Sequence, residues 1–270
     1  MSVICVTGAF FCFQKLQRSY PIPVYLFYVW FLSGILLSLL SNWGGLAFSP
    51  LQIALLILAG VFSWYGNYAY NIAIKYESNI GYVESVSSIR LPLVYIVSIV
   101  FLDSKLDLIK LIGLIFVVIG VTLVTDMKLS LKLENTKWLI WALTSGIMFA
   151  LLIIFNRILN TQGIEAQTAL PIWILIASFC YAMTAYTNKQ SFQPKGKLLF
   201  LATAIILTVV GQLSLFTAYS TAPNLAYPTA IANSRLILMY LLSFLFIQQP
   251  FRVKRFLGIL LATLAIVMLS

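Results

Sequence analysis

Histidine is absent from this 270-residue sequence, so the chain lacks both the commonest metal ligand and the commonest general base. Cysteine is scarce, and Cys5, Cys12 and Cys180 all fall in apolar runs without the spacing of metal ligands. The sequence therefore excludes zinc chemistry and a Ser-His-Asp triad. We expect packing roles for the cysteines, and we expect neither a cofactor nor an enzymatic activity.

Charge is also scarce, since Asp, Glu, Lys and Arg make up 9% of the residues whereas 61% are hydrophobic. A soluble domain carries charge on about a quarter of its residues, and it could not bury this much apolar surface in one core. A bilayer removes that problem because it acts as an apolar solvent. The composition therefore predicts an integral membrane protein.

The formal net charge of +10 does not indicate nucleic-acid binding. Most Lys and Arg residues lie in short clusters between apolar runs, where such residues set the topology of a membrane protein. No long basic face with interleaved aromatic residues lies outside the apolar runs. We expect the lipid bilayer and a small-molecule solute as partners, without nucleic acid, and a monomer or a homodimer.

Ten apolar segments come close to the length of about 20 residues that a helix needs to cross a bilayer. Continuous apolar runs favour helices, because backbone polar groups in lipid must pair within the segment. The first segment ends early, at Gln14 and Lys15, so it is either a short helix or the end of one that starts upstream. No cleavable signal peptide is expected. The predicted spans are residues 1–17, 22–41, 50–74, 79–102, 108–125, 137–157, 167–187, 197–220, 224–247 and 253–270.

The sequence contains an internal repeat, because a shift of 145 positions places Gly66–Val124 on Gly211–Leu269 without a gap. Leucine matches are uninformative in such a composition, but the alignment also preserves an intramembrane arginine, Arg90 with Arg235. Further matched pairs are Asn79/Asn224, Tyr82/Tyr227, Ser98/Ser243 and Gly113/Gly258. Chance similarity between apolar segments is a poor explanation for these matches.

Each copy of the repeat contains five predicted spans, and an odd number places the second copy in the opposite orientation. This is the inverted-repeat plan of many secondary transporters. We predict an all-α integral membrane fold of about ten transmembrane helices, arranged as two inverted five-helix repeats. The first repeat covers residues 1–125, the linker 126–136 and the second repeat 137–270.

Two arginines lie near the middle of predicted spans, Arg90 in the fourth and Arg235 in the ninth. A guanidinium in hydrocarbon costs roughly 2.5–3.5 kcal/mol, so each needs a polar cavity or a buried partner. Two buried cations against one buried acid, Glu84, favour an anionic or zwitterionic substrate that the arginines bind. The alternative is a structural role, in which each arginine ties helices together.

Glu84 is the acid that lies well inside a predicted span. On an ideal helix, six residues at about 100° each would place Glu84 and Arg90 about 120° apart. We therefore expect the partner of Glu84 on another helix. Burial favours the neutral form of a carboxyl group, which makes Glu84 a candidate for carrying a coupling proton. The repeat places Thr229 at the matching position, so this feature is not duplicated.

Other polar side chains of the predicted spans could line a moderately polar cavity near the midplane. For each of them, interhelical hydrogen bonding worth about 0.6 kcal/mol is the alternative. These candidates for substrate binding are Asn67, Asn71, Gln212, Tyr82 and Tyr227.

Small residues form faces on the fifth and tenth spans, at Gly113, Gly120, Gly258 and Ala262. Such faces permit close approach of helices. We expect them in a scaffold or in a dimer contact, not at a substrate site.

The end of the first repeat carries a family likeness. Leu91-Pro92-Leu93-Val94-Tyr95 leads to Val100-Phe101-Leu102-Asp103-Ser104-Lys105-Leu106, and a glycine-bearing apolar run follows from Leu111 to Val121. Phe256–Leu269 follows the same plan more loosely. These stretches resemble the EamA-like family of the drug/metabolite transporter superfamily, whose Gly-Glu-Arg-Leu turn is altered here at Ser104 and Gln249.

The resemblance covers nearly the whole chain and implies ten helices, two inverted repeats and a cavity lined by the third, fourth, eighth and ninth helices. Members of the family look like exporters or exchangers of metabolites, amino acids and drugs, and some are proton-coupled. We therefore predict a secondary transporter of a small organic metabolite or drug-like solute, by alternating access, in a bacterial inner membrane. The alternative is a lipid-linked flippase or scramblase of the same fold.

Overall fold

The computed structural model consists of helices joined by turns and irregular segments in its described parts, which are residues 1–41, 43, 47–77, 79–101, 108–125, 137–193, 196–221, 235–247 and 252–269. Eleven helices occupy these ranges. They are α1 (Ser2–Leu16), α2 (Ile22–Leu40), α3 (Pro50–Tyr76), α4 (Ile80–Ser87), α5 (Arg90–Phe101), α6 (Leu108–Thr125), α7 (Lys137–Thr161), α8 (Ala166–Thr187), α9 (Leu198–Thr221), α10 (Arg235–Ile247) and α11 (Val253–Leu269).

Five of the described helices are long and apolar enough to cross a bilayer: α2, α3, α7, most of α8 and the first part of α9. Large apolar side chains are exposed on their surfaces, among them Leu39, Phe179 and Leu199, the last with 78% of its surface accessible. Exposed contiguous apolar surface is unfavourable in water but matches hydrocarbon. The chain is therefore an integral membrane protein.

Most predicted spans coincide with one helix to within a few residues, as in α1 to α3, α6 to α9 and α11. For the ninth predicted span, 224–247, the described part begins at Arg235. The predicted linker 126–136 lies outside the described residues. The total of ten spans thus stays a prediction.

The fourth predicted span, 79–102, is not one helix, and that prediction was wrong. It is divided into α4, which ends at Ser87, and α5, which begins at Arg90. Pro92 gives the physical reason, because its ring would clash with the carbonyl of the residue four positions earlier, Ser88, and it has no N–H to donate there. Proline is tolerated in the first turn of a helix, which is where Pro92 lies in α5.

Hydrogen bonds stabilise both ends of α4 and the start of α5. The side chain of Asn79 caps the start of α4 by accepting a hydrogen bond from the Gly81 N–H at 3.0 Å. The Ser88 hydroxyl donates to the carbonyl of Glu84 at 2.8 Å. The N–H of Leu93 donates to Ile89 at 3.2 Å, so the first turn of α5 closes immediately after the break.

The chain divides into two compact units, which we call unit 1 (residues 1–71 and 151–221) and unit 2 (residues 72–150 and 222–270). Each unit combines segments from both predicted repeats. Helices α3 and α7 contribute residues to both units, since the divisions fall within these two helices.

Glycines allow close helix packing within unit 1. A Cβ added at Gly34 of α2 would lie 2.7 Å from Leu175 Cδ2 of α8, and one at Gly60 of α3 would lie 2.4 Å from Ile176 Cγ2. Aromatic side chains fill the remaining interior, with Tyr25, Tyr70 and Tyr181 fully buried. Unit 1 is therefore a tightly packed helical body.

Unit 2 has a seam between α6 and α11, the last helices of the two predicted repeats. A Cβ at Gly120 would lie 2.7 Å from the carbonyl oxygen of Gly258 and 2.8 Å from the backbone nitrogen of Ala262. The small-residue faces around Gly120 and Gly258 thus pack against each other within one chain. An aromatic and aliphatic cluster accompanies the seam: Tyr82, Val124, Leu236, Tyr240 and Ile259, with Trp138, Ile237 and Phe256 at its edge.

Candidate functional site

A buried cluster of charged side chains lies in unit 2, centred on Glu84 of α4. Only 1% of the Glu84 side chain is exposed. Its Oε1 atom accepts a hydrogen bond from Arg90 Nη2 at 2.7 Å. The same atom accepts from Arg235 Nη2 at 2.7 Å and from Arg235 Nε at 3.1 Å. The two arginines that the repeat relates therefore share one carboxylate oxygen.

The pairing of Glu84 with Arg90 corrects the expectation drawn from an ideal helix. Residues 84 and 90 belong to different helices, because the break after Ser87 interrupts the regular rotation of 100° per residue. The side chains therefore meet although they would lie on different faces of a continuous helix. Glu84 does have a partner on another helix, Arg235 of α10. The expectation that Glu84 would not meet Arg90 was wrong.

Neighbouring side chains hold Arg90 in this position. Its Nη1 donates to Ser87 Oγ at 3.4 Å, and the Ser87 and Ser145 hydroxyls are 3.1 Å apart. The guanidinium carbon lies 5.8 Å from the centre of the Phe149 ring, within range of a cation–π interaction. Gly146 permits this arrangement, since a Cβ there would lie 2.8 Å from the carbonyl oxygen of Ser87. Helix α7 thus supports the break between α4 and α5.

The formal charges of these three described side chains do not sum to zero. Two guanidinium groups and one carboxylate leave a net charge of +1 among Arg90, Arg235 and Glu84. Transfer of such groups out of water costs several kcal/mol per ion. The attraction between opposite charges offsets this cost only when the geometry is excellent and further hydrogen bonds are made. Both predicted roles of the arginines, substrate binding and the joining of helices, therefore stay predictions.

The two arginines differ in accessibility. The Arg90 side chain is 7% exposed, whereas that of Arg235 is 15% exposed. Arg90 is bound by residues of its own segment and by α7, but Arg235 comes from the second repeat.

Tyr82 lies in the core of unit 2, and only 2% of its surface is exposed. The centres of the Tyr82 and Tyr240 rings are 5.7 Å apart, and the Arg255 guanidinium carbon lies 4.6 Å from the centre of the Tyr82 ring. These are packing contacts, and the role of Tyr82 in substrate binding stays a prediction. Its repeat partner, Tyr227, lies outside the described residues.

Asn71, a predicted substrate-binding residue, makes several side-chain hydrogen bonds within unit 1. Its Oδ1 accepts from the Tyr25 hydroxyl at 2.7 Å and from Gln17 Nε2 at 3.2 Å. Its Nδ2 donates to the carbonyl of Asn67 at 2.8 Å. This network joins α2 and α3 to Gln17, the residue that follows α1, and the role of Asn71 in substrate binding stays a prediction.

The other amide candidates also belong to unit 1. Asn67 donates from Nδ2 to the carbonyl of Ser63 at 2.8 Å, one turn earlier in α3. Gln212 is half-buried in α9. Neither residue belongs to the unit that contains the charged cluster, and their role in substrate binding stays a prediction.

Sequence reasoning missed the supporting residues of the cluster, which are Ser87, Ser145 and Phe149. The available signal was Pro92, because a proline inside a predicted span indicates that the preceding helix ends or kinks there. A break there would have placed Ser87 beside the charged residues, whereas Ser145 depends on the packing of α7. Phe149 carried no signal of its own in so apolar a helix.

The helices and the buried charges together define a polytopic α-helical membrane protein with a polar interior. The model of the EamA-like transporter family matches residues 1–126 and 136–270. The chain therefore belongs to the EamA-like transporter family, which consists of membrane transporters of the drug/metabolite superfamily and not of enzymes. The two matches are consistent with an inverted repeat.

A solved structure described only as "Crystal structure of protein" is similar to the chain in fold. It is 12% identical in sequence, with 99% of this chain and 97% of that chain covered and a TM-score of 0.66. At this identity the likeness shows the fold alone. No curated protein matches the chain.

Proposed function

We propose that the protein is a secondary transporter, an exporter or an exchanger, for a small organic anion or zwitterion. Arg90 and Arg235 are the polar anchors of the proposed substrate site. The observation that carries the proposal is their convergence on Glu84, which leaves a buried cluster with a net charge of +1. An anionic group of a substrate would neutralise that charge.

Electrostatics favours such a substrate over a neutral or cationic one. Charges interact far more strongly in a protein interior than in water, and like charges are penalised equally. A cation approaching the cluster would meet two guanidinium groups, and a neutral solute would leave its excess charge unbalanced. The backbone N–H groups at the start of α5, beside Arg90, add a partial positive charge of the same sign.

Alternating access is the proposed mechanism because of the repeat. Two similar halves in opposite orientations are able to adopt related conformations that open to opposite sides of a membrane. The family matches cover both halves, and Arg90 and Arg235 contribute one charged group from each. A site shared by the two repeats is what this mechanism requires.

Glu84 remains the candidate for proton coupling within this proposal. Protonation would remove the negative charge that binds Arg90 and Arg235, so proton binding and release of the arginines would be linked. A proton gradient would then change the rate of transport. A flux independent of the gradient would restrict Glu84 to its role as an ion-pair partner.

The proposal is tested in vesicles that contain the purified protein. A screen of labelled carboxylates, amino acids and neutral metabolites identifies a transported solute, and Arg90→Ala and Arg235→Ala are then compared with wild type. Both variants should insert normally and lose transport of the anion. Arg157→Ala is the matched control, because Arg157 is an exposed residue of α7 outside the cluster.

Two results of that screen would contradict the proposal. Normal flux of the anion in both cluster variants would remove the assigned role of the arginines. Movement of a labelled lipid without movement of any solute would favour the flippase or scramblase alternative.

A further inference from the structure

We propose that one end of unit 1 binds the phosphate group of an anionic lipid. The residues of this end, which we call the basic end, are Lys15, Arg18, Lys189 and Lys197. Lys15 and Arg18 lie at and just after the end of α1, whereas Lys189 and Lys197 lie in the segment that joins α8 to α9. The proposal goes beyond solute transport, because it concerns the lipid around the protein and depends on no substrate.

Packing of α1 against α9 brings three of these residues together. A Cβ at Gly211 of α9 would lie 3.0 Å from Val6 Cγ2 of α1. Further along the same pair of helices, Lys197 Nζ donates to the carbonyl of Lys15 at 3.1 Å. The two helices are therefore antiparallel, and the end of α1 lies beside the start of α9. Arg18 lies in the turn that follows α1.

Packing against α2 brings the fourth residue to the same end. The Tyr28 hydroxyl donates to the carbonyl of Phe192, and the centres of the Phe27 and Phe192 rings are 5.6 Å apart. The segment between α8 and α9 is thus held against the first turns of α2. Lys189 lies three residues before Phe192, and the turn that carries Arg18 leads into α2. The four cations therefore share one end of unit 1.

Unit 1 offers no acid to neutralise the basic end. Residues 1–71 and 151–221 contain one acid, Glu165, which directly precedes α8, whereas Lys189 follows the other end of that helix. The 22 residues of α8 span about 33 Å at 1.5 Å per residue, several times the distance of about 8 Å over which salt screens charges. Lys15, Arg18 and Lys189 are exposed, and among the described residues their side chains have no hydrogen-bond or ion-pair partner.

Neighbouring apolar residues favour a lipid over a soluble anion as the partner. Leu198 and Leu199 follow Lys197 directly, and both are exposed, as is Tyr186 three residues before Lys189. Exposed leucines of a membrane protein contact hydrocarbon, and tyrosine is enriched where the hydrocarbon meets the headgroups. The cations thus lie at headgroup depth, where Lys and Arg attract anionic lipids. One lipid molecule could contact the leucines with its acyl chains and the cations with its phosphate.

Lys197 also has a structural role, because its ammonium group binds a carbonyl in the last turn of α1. An ammonium group has three N–H donors, so the bond to the Lys15 carbonyl leaves two for a phosphate. Capping of α1 does not depend on the charge of the surrounding lipid. The two roles are therefore separated by a change of lipid.

Lipid binding by the purified protein in an uncharged detergent tests the proposal. The melting temperature is followed against the concentration of phosphatidylglycerol, and phosphatidylcholine with the same acyl chains is the control ligand without net charge. Phosphatidylglycerol should stabilise the protein at a concentration about tenfold lower than phosphatidylcholine does. A high salt concentration should remove most of this difference, because exposed charges are screened.

Substitutions assign the effect to the basic end. The variant K15Q/R18Q/K189Q removes three cations and keeps the Lys197 bond, so it should melt like wild type in detergent alone and respond equally to the two lipids. Arg18→Gln and Arg157→Gln form a matched pair, since both arginines are exposed in unit 1 and Arg157 lies near the end of α7 that leads to the start of α8. R18Q should weaken the response to phosphatidylglycerol and R157Q should leave it unchanged. This pair decides the question if the triple variant does not fold.

An equal response of wild type to the two lipids would overturn the proposal, as would an unchanged response in both the triple variant and R18Q. Glycerol 1-phosphate is the soluble probe, because it carries the phosphate without acyl chains. If it stabilised the protein at the same concentration as phosphatidylglycerol, the site would be one for a soluble phosphate and the lipid proposal would be wrong. Solute flux in vesicles is a separate measurement, so failure of the proposed transport would leave these results unchanged.

Discussion

Arg90 and Arg235 place their Nη2 atoms at the same distance, 2.7 Å, from one oxygen of Glu84. The two arginines occupy equivalent positions in the repeat, but the acid between them has no equivalent, because Thr229 stands at the matching position. Each repeat thus contributes one arginine, whereas only the first repeat contributes an acid. This asymmetry makes the cluster net positive, and most of the expected behaviour follows from it.

Glu84→Gln should separate net transport from exchange. The amide keeps the shape of the side chain but removes the charge that neutralises the arginines in the empty carrier. We expect net efflux of the transported carboxylate to fall at least tenfold, equivalent to about 1.4 kcal/mol, while exchange against the same carboxylate persists. Both rates are measured in the same vesicles, with labelled substrate inside and either buffer or unlabelled substrate outside. Equal losses in the two rates would show that Glu84 does not have this role.

Gly120→Ala should destabilise the protein through the seam between α6 and α11. The new methyl group would lie 2.7 Å from the carbonyl oxygen of Gly258 and 2.8 Å from the nitrogen of Ala262, and both are backbone atoms. Overpacking of this kind costs about 1–3 kcal/mol, against a gain of about 1 kcal/mol in helix propensity. A lower melting temperature in detergent is the expected result.

Gly8→Ala is the control for this substitution. A methyl group at Gly8 would meet Leu207 Cδ1, the end of a flexible side chain, at 3.0 Å. Its melting temperature should stay near that of wild type or rise. If the two alanine variants unfold at the same temperature, the seam is not the close contact described above.

Tyr25→Phe should weaken the hydrogen-bond network of unit 1. The hydroxyl donates to Asn71 Oδ1 at 2.7 Å and accepts from Gln17 Nε2 at 3.2 Å, and Tyr25 is fully buried. Interhelical hydrogen bonds in membranes contribute about 0.6 kcal/mol on average and at most about 1.7. We expect a small loss of thermal stability, measured as the melting temperature in detergent. Tyr186→Phe, at a 76% exposed position of α8, should leave the melting temperature unchanged.

Much of the helical layout could be predicted from sequence because apolar length alone is informative in a membrane protein. The ends of α2, α6 and α8 lie within a few residues of those predicted. The break after Ser87 was missed because the run from Asn79 to Leu102 has the length of one transmembrane helix. Pro92 acts on the backbone, which a hydropathy pattern does not describe.

The charged residues of the site could be predicted, but their contacts could not. Burial of a charge in lipid is costly wherever it occurs, so Arg90, Arg235 and Glu84 are conspicuous in any apolar sequence. Their convergence depends on α10 lying beside α4, and no spacing along the chain reports that. The same reason applies to Asn71, whose partners Tyr25 and Gln17 are 46 and 54 residues away.

The most direct test of substrate binding by the arginines compares a carboxylate solute with its neutral amide in vesicles that contain wild type, Arg90→Gln, Arg235→Gln or the control Arg157→Gln. We predict that wild type and the control transport the carboxylate and not the amide. We also predict that each cluster variant inserts normally but loses at least about 90% of that flux, equivalent to about 1.4 kcal/mol of lost binding. Equal transport of carboxylate and amide by wild type, or unchanged carboxylate flux in both cluster variants, would contradict the proposed role of the cluster.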